Sequence, residues 1–374
     1  MTVFITIPWF LPAFKAGGPI RSIANLVDRF DEGIEYRVFC GDTDLDGSEL
    51  TDIEKGKWVP FNKNTQVWYA EKGEVSKTLT DQVELLKPDV LFIIGIYTWH
   101  YNIVPLLFCK APKKILSVRG MLHPGALTQK KVKKRLYLDM LRISGIGKKI
   151  IFHATDEEEA KFIRYEFGKK AAINIAANYG KQIVPGAQLY KTPGSLKMVT
   201  VALISPMKNY LTVLEALALC TADISYEIYG PVKEPEYWQQ CLEQIKKLPA
   251  NIKVNYRGQT DPENISSILE QNHLFIMPSK SENFGHAIYE ALSAGKPVIT
   301  SRFTPWNSLQ EAHAGMNTET SAGSIAEAIA FFAAADNDAY RFFVQGAINY
   351  IAQKISIEKT DEQYRRLFFD QDDV

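Results

Sequence analysis

The chain has 374 residues, enough for two medium-sized domains at roughly 100–200 residues each. Apolar residues make up 46% and charged residues 23%, a balance that builds globular cores and excludes disordered and fibrous classes. Lysine plus arginine equals aspartate plus glutamate at 43 each, so no global charge argues for a nucleic-acid partner.

The opening Met1-Thr2-Val3-Phe4-Ile5-Thr6-Ile7-Pro8 is apolar but short and lacks a basic leader, so it predicts a first buried strand rather than a signal peptide. No run approaches the roughly 18–20 uncharged apolar residues needed to cross a bilayer. Cys40, Cys109, Cys220 and Cys241 are scattered, without metal-ligand or disulfide-scaffold spacing, and suit a reducing compartment. The expected setting is the cytoplasm, with peripheral attachment to the inner face of the cell membrane left open.

Short β-rich runs follow at Tyr36–Cys40, Gln66–Tyr69, Val90–Ile94, Ile115–Val118, Ile150–His153 and Ala172–Ile175, with helical patterns between several of them. That alternation predicts an α/β fold with parallel strands and crossover helices. A second series begins at Lys197–Ala202 and continues through Ile224–Tyr229, Ile252–Tyr256, Leu274–Met277 and Pro297–Thr300. The glycine- and proline-marked stretch near residues 180–195 is the expected linker. The organisation predicted is therefore a Rossmann-like domain over residues 1–185, a second over 186–356, and a helical tail over 357–374 packing back on the first. Two such sheets are expected to face an interdomain cleft, because open α/β sheets bind ligands outside the carboxyl ends of their strands.

Several segments carry chemistry. Gly17-Gly18-Pro19 precedes a helix with apolar positions Ile20, Ile23, Ala24, Val27 and Phe30, so the glycines offer a close backbone approach to a ligand or a plain turn. Asp42-Thr43-Asp44-Leu45-Asp46-Gly47 resembles a calcium loop, but Ile53 stands where the closing glutamate belongs, and a solvated turn is expected. Arg119 ends the strand Ile115–Val118, with His123 close by. From Lys130 to Lys149 a basic segment carries Val132, Leu136, Met140 and Ile143 at helical spacing; it could dock on an anionic membrane or a lipid-diphosphate acceptor, or be a solvated helix face. Lys208 follows a strand at its carboxyl edge, where an ammonium can meet a phosphate. In the run Pro278–Ile299, Asn283 is the expected helix N-cap, and Glu290 falls on a polar face with His286, Tyr289 and Ser293, pointing away from the core. Free amides at Asn283–Gly285 would attract an anion. Spacing alone fits a capped structural helix equally well.

Glu282 and Glu290, in a Ser-Glu-Asn-Phe-Gly…Glu-Ala-Leu…Gly-Lys-Pro-Val frame, resemble the signature of the family four retaining glycosyltransferases of the GT-B fold. Gly17-Gly18-Pro19-Ile20-Arg21-Ser22, Arg119-Gly120-Met121-Leu122, Ile204-Ser205-Pro206-Met207-Lys208-Asn209, Tyr229-Gly230-Pro231 and Thr304-Pro305-Trp306 fit the same family in the same order. The resemblance implies a hexosyltransferase-type enzyme moving sugar from a nucleotide-diphosphate donor to a glycan or lipid-linked acceptor, as in cell-surface polysaccharide or lipopolysaccharide synthesis. It implies donor contacts at Gly17, Gly18, Lys208, Gly230, Asn283, Phe284, Gly285 and Glu290, with Glu290 on the ribose hydroxyls. Glu282, Arg119 and Lys208 become the catalytic candidates, and Arg21 and His123 the acceptor-side ones. Neither metal nor cofactor is expected.

Two positions depart from the family pattern. Leu203 stands where relatives usually carry an arginine, leaving Arg21, Arg257 and Arg302 as candidate substitutes, and Ala177-Asn178-Tyr179 replaces a proline-asparagine-glycine turn. Competing readings are a nucleotide-sugar epimerase of similar architecture and a degenerate, non-catalytic sugar-nucleotide binder.

Overall fold

The computed structural model describes residues 1–123 and 131–370. The chain divides into two compact units, one formed by Met1–Tyr179 with the segment from Ile357 onward, the other by Gly180–Ser356. The division thus falls between Tyr179 and Gly180, and the tail helix Ile357–Phe369 belongs to the first unit.

The first unit is built on β1 (Thr2–Thr6), β2 (Glu35–Gly41), β3 (Trp58–Pro60), β4 (Thr65–Ala70), β5 (Val90–Ile94), β6 (Lys113–Ser117), β7 (Ile151–Ala154) and β8 (Ile173–Ile175). Their order in the sheet is β3-β4-β2-β1-β5-β6-β7-β8. All pairings are parallel except β3 with β4. Strand β5 is apolar throughout and β1 over Val3–Ile5, because helices cover both faces of the sheet. One face packs Ile23 and Val27 of helix Gly18–Arg29 and the following Phe30 together with Tyr364, Leu367 and Phe368 of the tail helix. The other packs helices Val75–Leu86, Lys131–Ile143 and Glu157–Phe167.

The second unit contains β9 (Ser195–Val201), β10 (Asp223–Tyr229), β11 (Ile252–Tyr256), β12 (Leu274–Met277), β13 (Val298–Ser301) and β14 (Gly315–Thr318). They form an all-parallel sheet in the order β11-β10-β9-β12-β13-β14. Helices Tyr210–Leu217 and Ala322–Ala334 cover one face, and His286–Ser293 and Asn337–Lys354 the other. No described helix is long and apolar enough to cross a membrane. The four cysteines are buried and unpaired.

Strands β3 and β14 have no counterpart among the β-rich runs of the sequence. Both are sheet edges, where few neighbours enforce an apolar pattern: β3 is three residues ending in Pro60, and β14 reads Gly-Met-Asn-Thr. Gly315 is required in β14 because a β-carbon there would lie 1.9 Å from the Val298 carbonyl oxygen.

The chain leaves the first unit beside the helix with which it returns. Tyr179 Oη donates to Asp361 Oδ1 at 2.6 Å, the Ala177 N–H donates to Gln363 Oε1 at 3.0 Å, and the Tyr179 and Tyr364 rings stack at 5.2 Å. Phe368 anchors the helix, with its ring 5.6 Å from Phe92 and 6.2 Å from Phe30. Phe368→Ala should destabilise the first unit by about 3–5 kcal/mol, the cost of emptying a buried aromatic site. Denaturant titration followed separately in the two units checks this: an unmoved midpoint for the first unit would mean the tail helix contributes little to its core.

Candidate functional site

In the second unit the chain runs outward from β9 through β10 to β11, then returns so that β12 pairs on the other side of β9. The loops that leave β9 and β12 therefore meet at the topological switch point of the sheet, the place where open α/β sheets bind ligands in a crevice. Lys208 ends the short helix Pro206–Lys208 after β9, and Glu282 lies in the loop after β12. Their side chains form an ion pair, Nζ to Oε1, with the lysine 19% and the glutamate 10% exposed. The loops are tied by their backbones as well: the Lys280 N–H donates to Met207 O at 2.8 Å, and the Glu282 N–H to Phe303 O at 3.2 Å.

Two polar atoms in these loops, Asn209 Nδ2 and Ser279 Oγ, are buried without a hydrogen-bond partner. An unmade bond at a buried group costs about 1–3 kcal/mol, so such groups mark places where a ligand or water completes the set. Gly230, after β10, borders β9 from the other side. Its φ of 138° and a β-carbon position only 1.9 Å from Ala202 O make glycine obligatory there for backbone packing. Phe284 packs against His286 at 4.7 Å and Trp306 at 5.5 Å, while Trp306 Nε1 donates to Phe284 O at 2.5 Å, fixing the loop before the helix.

The helix itself corrects two expectations. Gly285, not Asn283, takes the N-cap position, in the left-handed region at φ 75°, and no side chain caps the helix. Glu290 does not point away from the core: it is 3% exposed, and the whole of His286–Ser293 beyond Ala287 is buried. The supposed polar face is covered by the chain entering the unit. Gly180 lies so close to the Tyr289 ring that a β-carbon would meet it at 2.3 Å, and the Ile183 N–H donates to Ser293 Oγ at 3.0 Å. A local wheel of residues carries no information about a segment arriving from far along the chain.

Of the cations considered as substitutes at Leu203, Arg257 is bound to Glu227 at 2.6 Å and Arg302 pairs with Glu319 at 3.4 Å. Arg21 is half-buried in the first unit. Sequence reasoning passed over Lys280, an exposed lysine on the same loop as Glu282 with no ion pair among the described residues. Its signal was its place two residues before Glu282.

Gly17, Gly18, Arg21, Arg119 and His123 belong to the first unit, whereas the group just described belongs to the second. Gly17 precedes helix Gly18–Arg29 with φ 77°, and its N–H donates to Phe14 O at 3.0 Å. His123 closes a turn onto Gly120 O and packs on Phe162 at 5.1 Å. Arg119 is 8% exposed with φ 50°, and its Nη1 donates to Asn178 Oδ1. Its Nε and Nη2 are buried without a partner. Arg119 and the altered Ala177-Asn178-Tyr179 turn thus touch each other.

Beneath Arg119, Glu159 accepts hydrogen bonds from the Gly120 N–H, the Thr155 N–H at 2.7 Å and Thr155 Oγ1 at 2.9 Å. Burial pushes its carboxyl up, and those bonds with the Arg119 charge pull it back. Glu159 was not singled out in the sequence, where it looks like one more acid in the first turn of helix Glu157–Phe167.

The Asp42–Gly47 loop is a solvated turn only at its tip, where Asp46 and Gly47 are exposed. Asp44 is buried and accepts from the backbone of Phe14 at 3.0 Å, Lys15 at 3.1 Å and Leu45 at 2.6 Å, and Asp42 pairs with Lys55 at 2.9 Å. These carboxylates hold the loop after β1. Among the described residues no group of three or more histidine, cysteine, aspartate or glutamate side chains is placed to hold a metal ion. Lys130, the first residue of the basic segment, and Gln371–Asp373 of the tail lie outside the described residues.

His153 is enclosed on β7, between Ser117 Oγ at 2.8 Å and Ala176 O at 2.8 Å. Burial, and secondarily the Arg119 charge, hold its imidazole at about 3 against an ordinary 6.5. Between these values the unfolded chain binds a proton that the folded one refuses, so stability falls as pH drops from about 6.5 towards 3. His153→Gln, which keeps one donor and one acceptor, should flatten that acid slope; urea midpoints that decline equally in both proteins would contradict it.

Residues 187–344 match the family described as Glycosyl transferases group 1. No curated protein matches the sequence closely enough to count as a relative. Solved structures do share the fold. Sucrose-phosphate synthase from Thermosynechococcus elongatus superposes with a TM-score of 0.69 at 16% identity, covering 98% of each chain. Anabaena HepE in complex with UDP and glucose gives 0.71 at 15% identity, over 98% of this chain and 99% of that one. WaaG, a glycosyltransferase involved in lipopolysaccharide biosynthesis, gives 0.69 at 13% identity, over 99% of this chain and all of the other. With two α/β units built on parallel sheets, the chain has the GT-B fold of these structures, and its residues 187–344 match the Glycosyl transferases group 1 family.

Proposed function

We propose that this protein is a retaining, metal-independent transferase that moves a hexosyl group from a nucleoside-diphosphate sugar to a glycan or lipid-linked acceptor in cell-surface polysaccharide or lipopolysaccharide synthesis, working peripherally at the inner face of the membrane. The observation that carries the donor assignment is the Lys208–Glu282 pair at the β9/β12 switch point. A donor places two phosphates next to a hydroxyl-rich ring, and this site places an ammonium next to a carboxylate. Lys208 would neutralise the diphosphate as charge builds on the leaving oxygen, while Glu282 accepts hydrogen bonds from sugar hydroxyls. Lys280 is the nearest cation in sequence to share the work of the missing arginine at Leu203. Glu290, buried one turn into the helix, would accept from the ribose hydroxyls. Arg119 cannot act as a general base at neutral pH, so its part is electrostatic.

HepE's complexes with UDP and UDP-glucose make those compounds the first ligands to try. Lys208→Met should weaken UDP binding roughly 10- to 150-fold, the equivalent of losing one charge-assisted hydrogen bond of about 1.5–3 kcal/mol. Glu290→Gln should weaken it with thermal unfolding unchanged. Calorimetric titration measures both, and normal affinity in the two variants would remove the donor site from this crevice.

Transfer should persist in excess chelator and keep the donor's anomeric configuration, read by proton NMR of the product. Loss restored only by a divalent cation would overturn metal independence. Epimerised donor without transfer would overturn the reaction class.

A further inference from the structure

We propose that helix Lys131–Ile143 is an in-plane membrane anchor that binds an anionic bilayer through an apolar stripe facing away from the protein core. At roughly 100° per residue, Val132, Leu136, Met140 and Ile143 fall within a narrow sector of the helix. Leu138 and Leu141, the residues that pack into the first unit, lie on roughly the opposite side and are 0% and 1% exposed. The helix therefore has two apolar faces, and only one is used by the fold. The outward residues are 72%, 67%, 51% and 87% exposed, respectively. An aligned stripe of large aliphatic side chains left in water is costly and marks an interaction surface rather than scattered surface apolarity.

The charges around the stripe select the partner. Between residues 131 and 149 the sequence has seven basic residues, Lys131, Lys133, Lys134, Arg135, Arg142, Lys148 and Lys149, against the single acid Asp139, in a chain whose net charge is zero. Arg135 is engaged with Glu166 at 3.2 Å and Asp139 at 3.6 Å, Arg142 with Asp139 at 3.2 Å, and Lys134 sits over the Tyr97 ring at 5.0 Å. Lys133, Lys148 and Lys149 are exposed and make no ion pair among the described residues. Aliphatic side chains with lysines at their margin suit the boundary between acyl chains and anionic headgroups, where the apolar stripe enters and the ammonium groups stay at headgroup level.

The inference rests on the peripheral placement proposed above, not on the transfer chemistry. The test is flotation of the full-length protein with phosphatidylcholine vesicles, with and without phosphatidylglycerol. The protein should float with the anionic vesicles and be released by salt. Leu136→Asp with Met140→Asp should lower vesicle affinity by about a hundredfold, and Lys133→Glu with Lys148→Glu should abolish the preference for anionic lipid. UDP affinity and thermal unfolding should stay as in the parent; if donor binding fails while flotation behaves as described, only the transferase reading falls. Undiminished flotation of the Leu136→Asp, Met140→Asp protein would overturn the proposal. So would equal binding to neutral vesicles, or a parent dimer that these two substitutions convert to monomer, which would make the stripe a contact between copies.

Discussion

The contact between Lys208 and Glu282 is where the second unit's topology becomes chemistry. The two residues belong to loops far apart in the chain, and they meet because β12 pairs with β9 on the side that β10 leaves open. Partial burial makes the pair consequential. Each charge has lost much of its water, so either one alone would be poorly compensated, and a phosphate or a sugar hydroxyl arriving there interacts in a medium of reduced dielectric. The bond from Lys280 to Met207 and the close passage of Gly230 beneath Ala202 hold the loops to that geometry. The unpaired Asn209 and Ser279 atoms are the complement: the loops are held firmly enough to keep polar groups unsatisfied.

Arg119 shows a related arrangement in the first unit. The guanidinium is shielded from water, with Asn178 on one nitrogen and the Glu159 carboxylate close enough to lower the cost of burying its charge. Burial, with the Arg119 charge as a lesser contribution, depresses His153, so the neighbouring imidazole remains neutral and serves as a hydrogen-bonded part of the core. The histidine and the arginine divide the roles of neutral scaffold and fixed charge. Arg119 and the altered turn at 177–179 form one local arrangement, since the asparagine of the turn is the arginine's partner.

The helix Lys131–Ile143 adds a different constraint. Its inward face holds it on the sheet through Leu138 and Leu141, while the outward aliphatic residues, largely exposed, contribute little to the core of the folded unit. Side chains that fold stability does not need are free to serve a surface, and their basic neighbours bias which surface that is.

Most of the fold was legible in the sequence, because buried parallel strands and their crossover helices leave strong local patterns; every strand with both faces covered was readable as an apolar run. The edge strands β3 and β14 were not, since an edge asks little of its residues. The motif order identified the candidate residues around Lys208, Glu282 and Gly230, and the helical spacing of Val132, Leu136, Met140 and Ile143 was visible before any coordinates. Tertiary structure alone decided that Glu290 is interior, because the chain at Gly180–Ile183 covers its helix from far along the sequence. It alone joined Arg119 to Asn178 and Gly120 to Glu159, and turned Asp44 from an apparent surface acid into the support of a neighbouring loop. Local periodicity reports which residues share a face; what lies against that face depends on contacts between distant segments, and those arise only when the chain is packed.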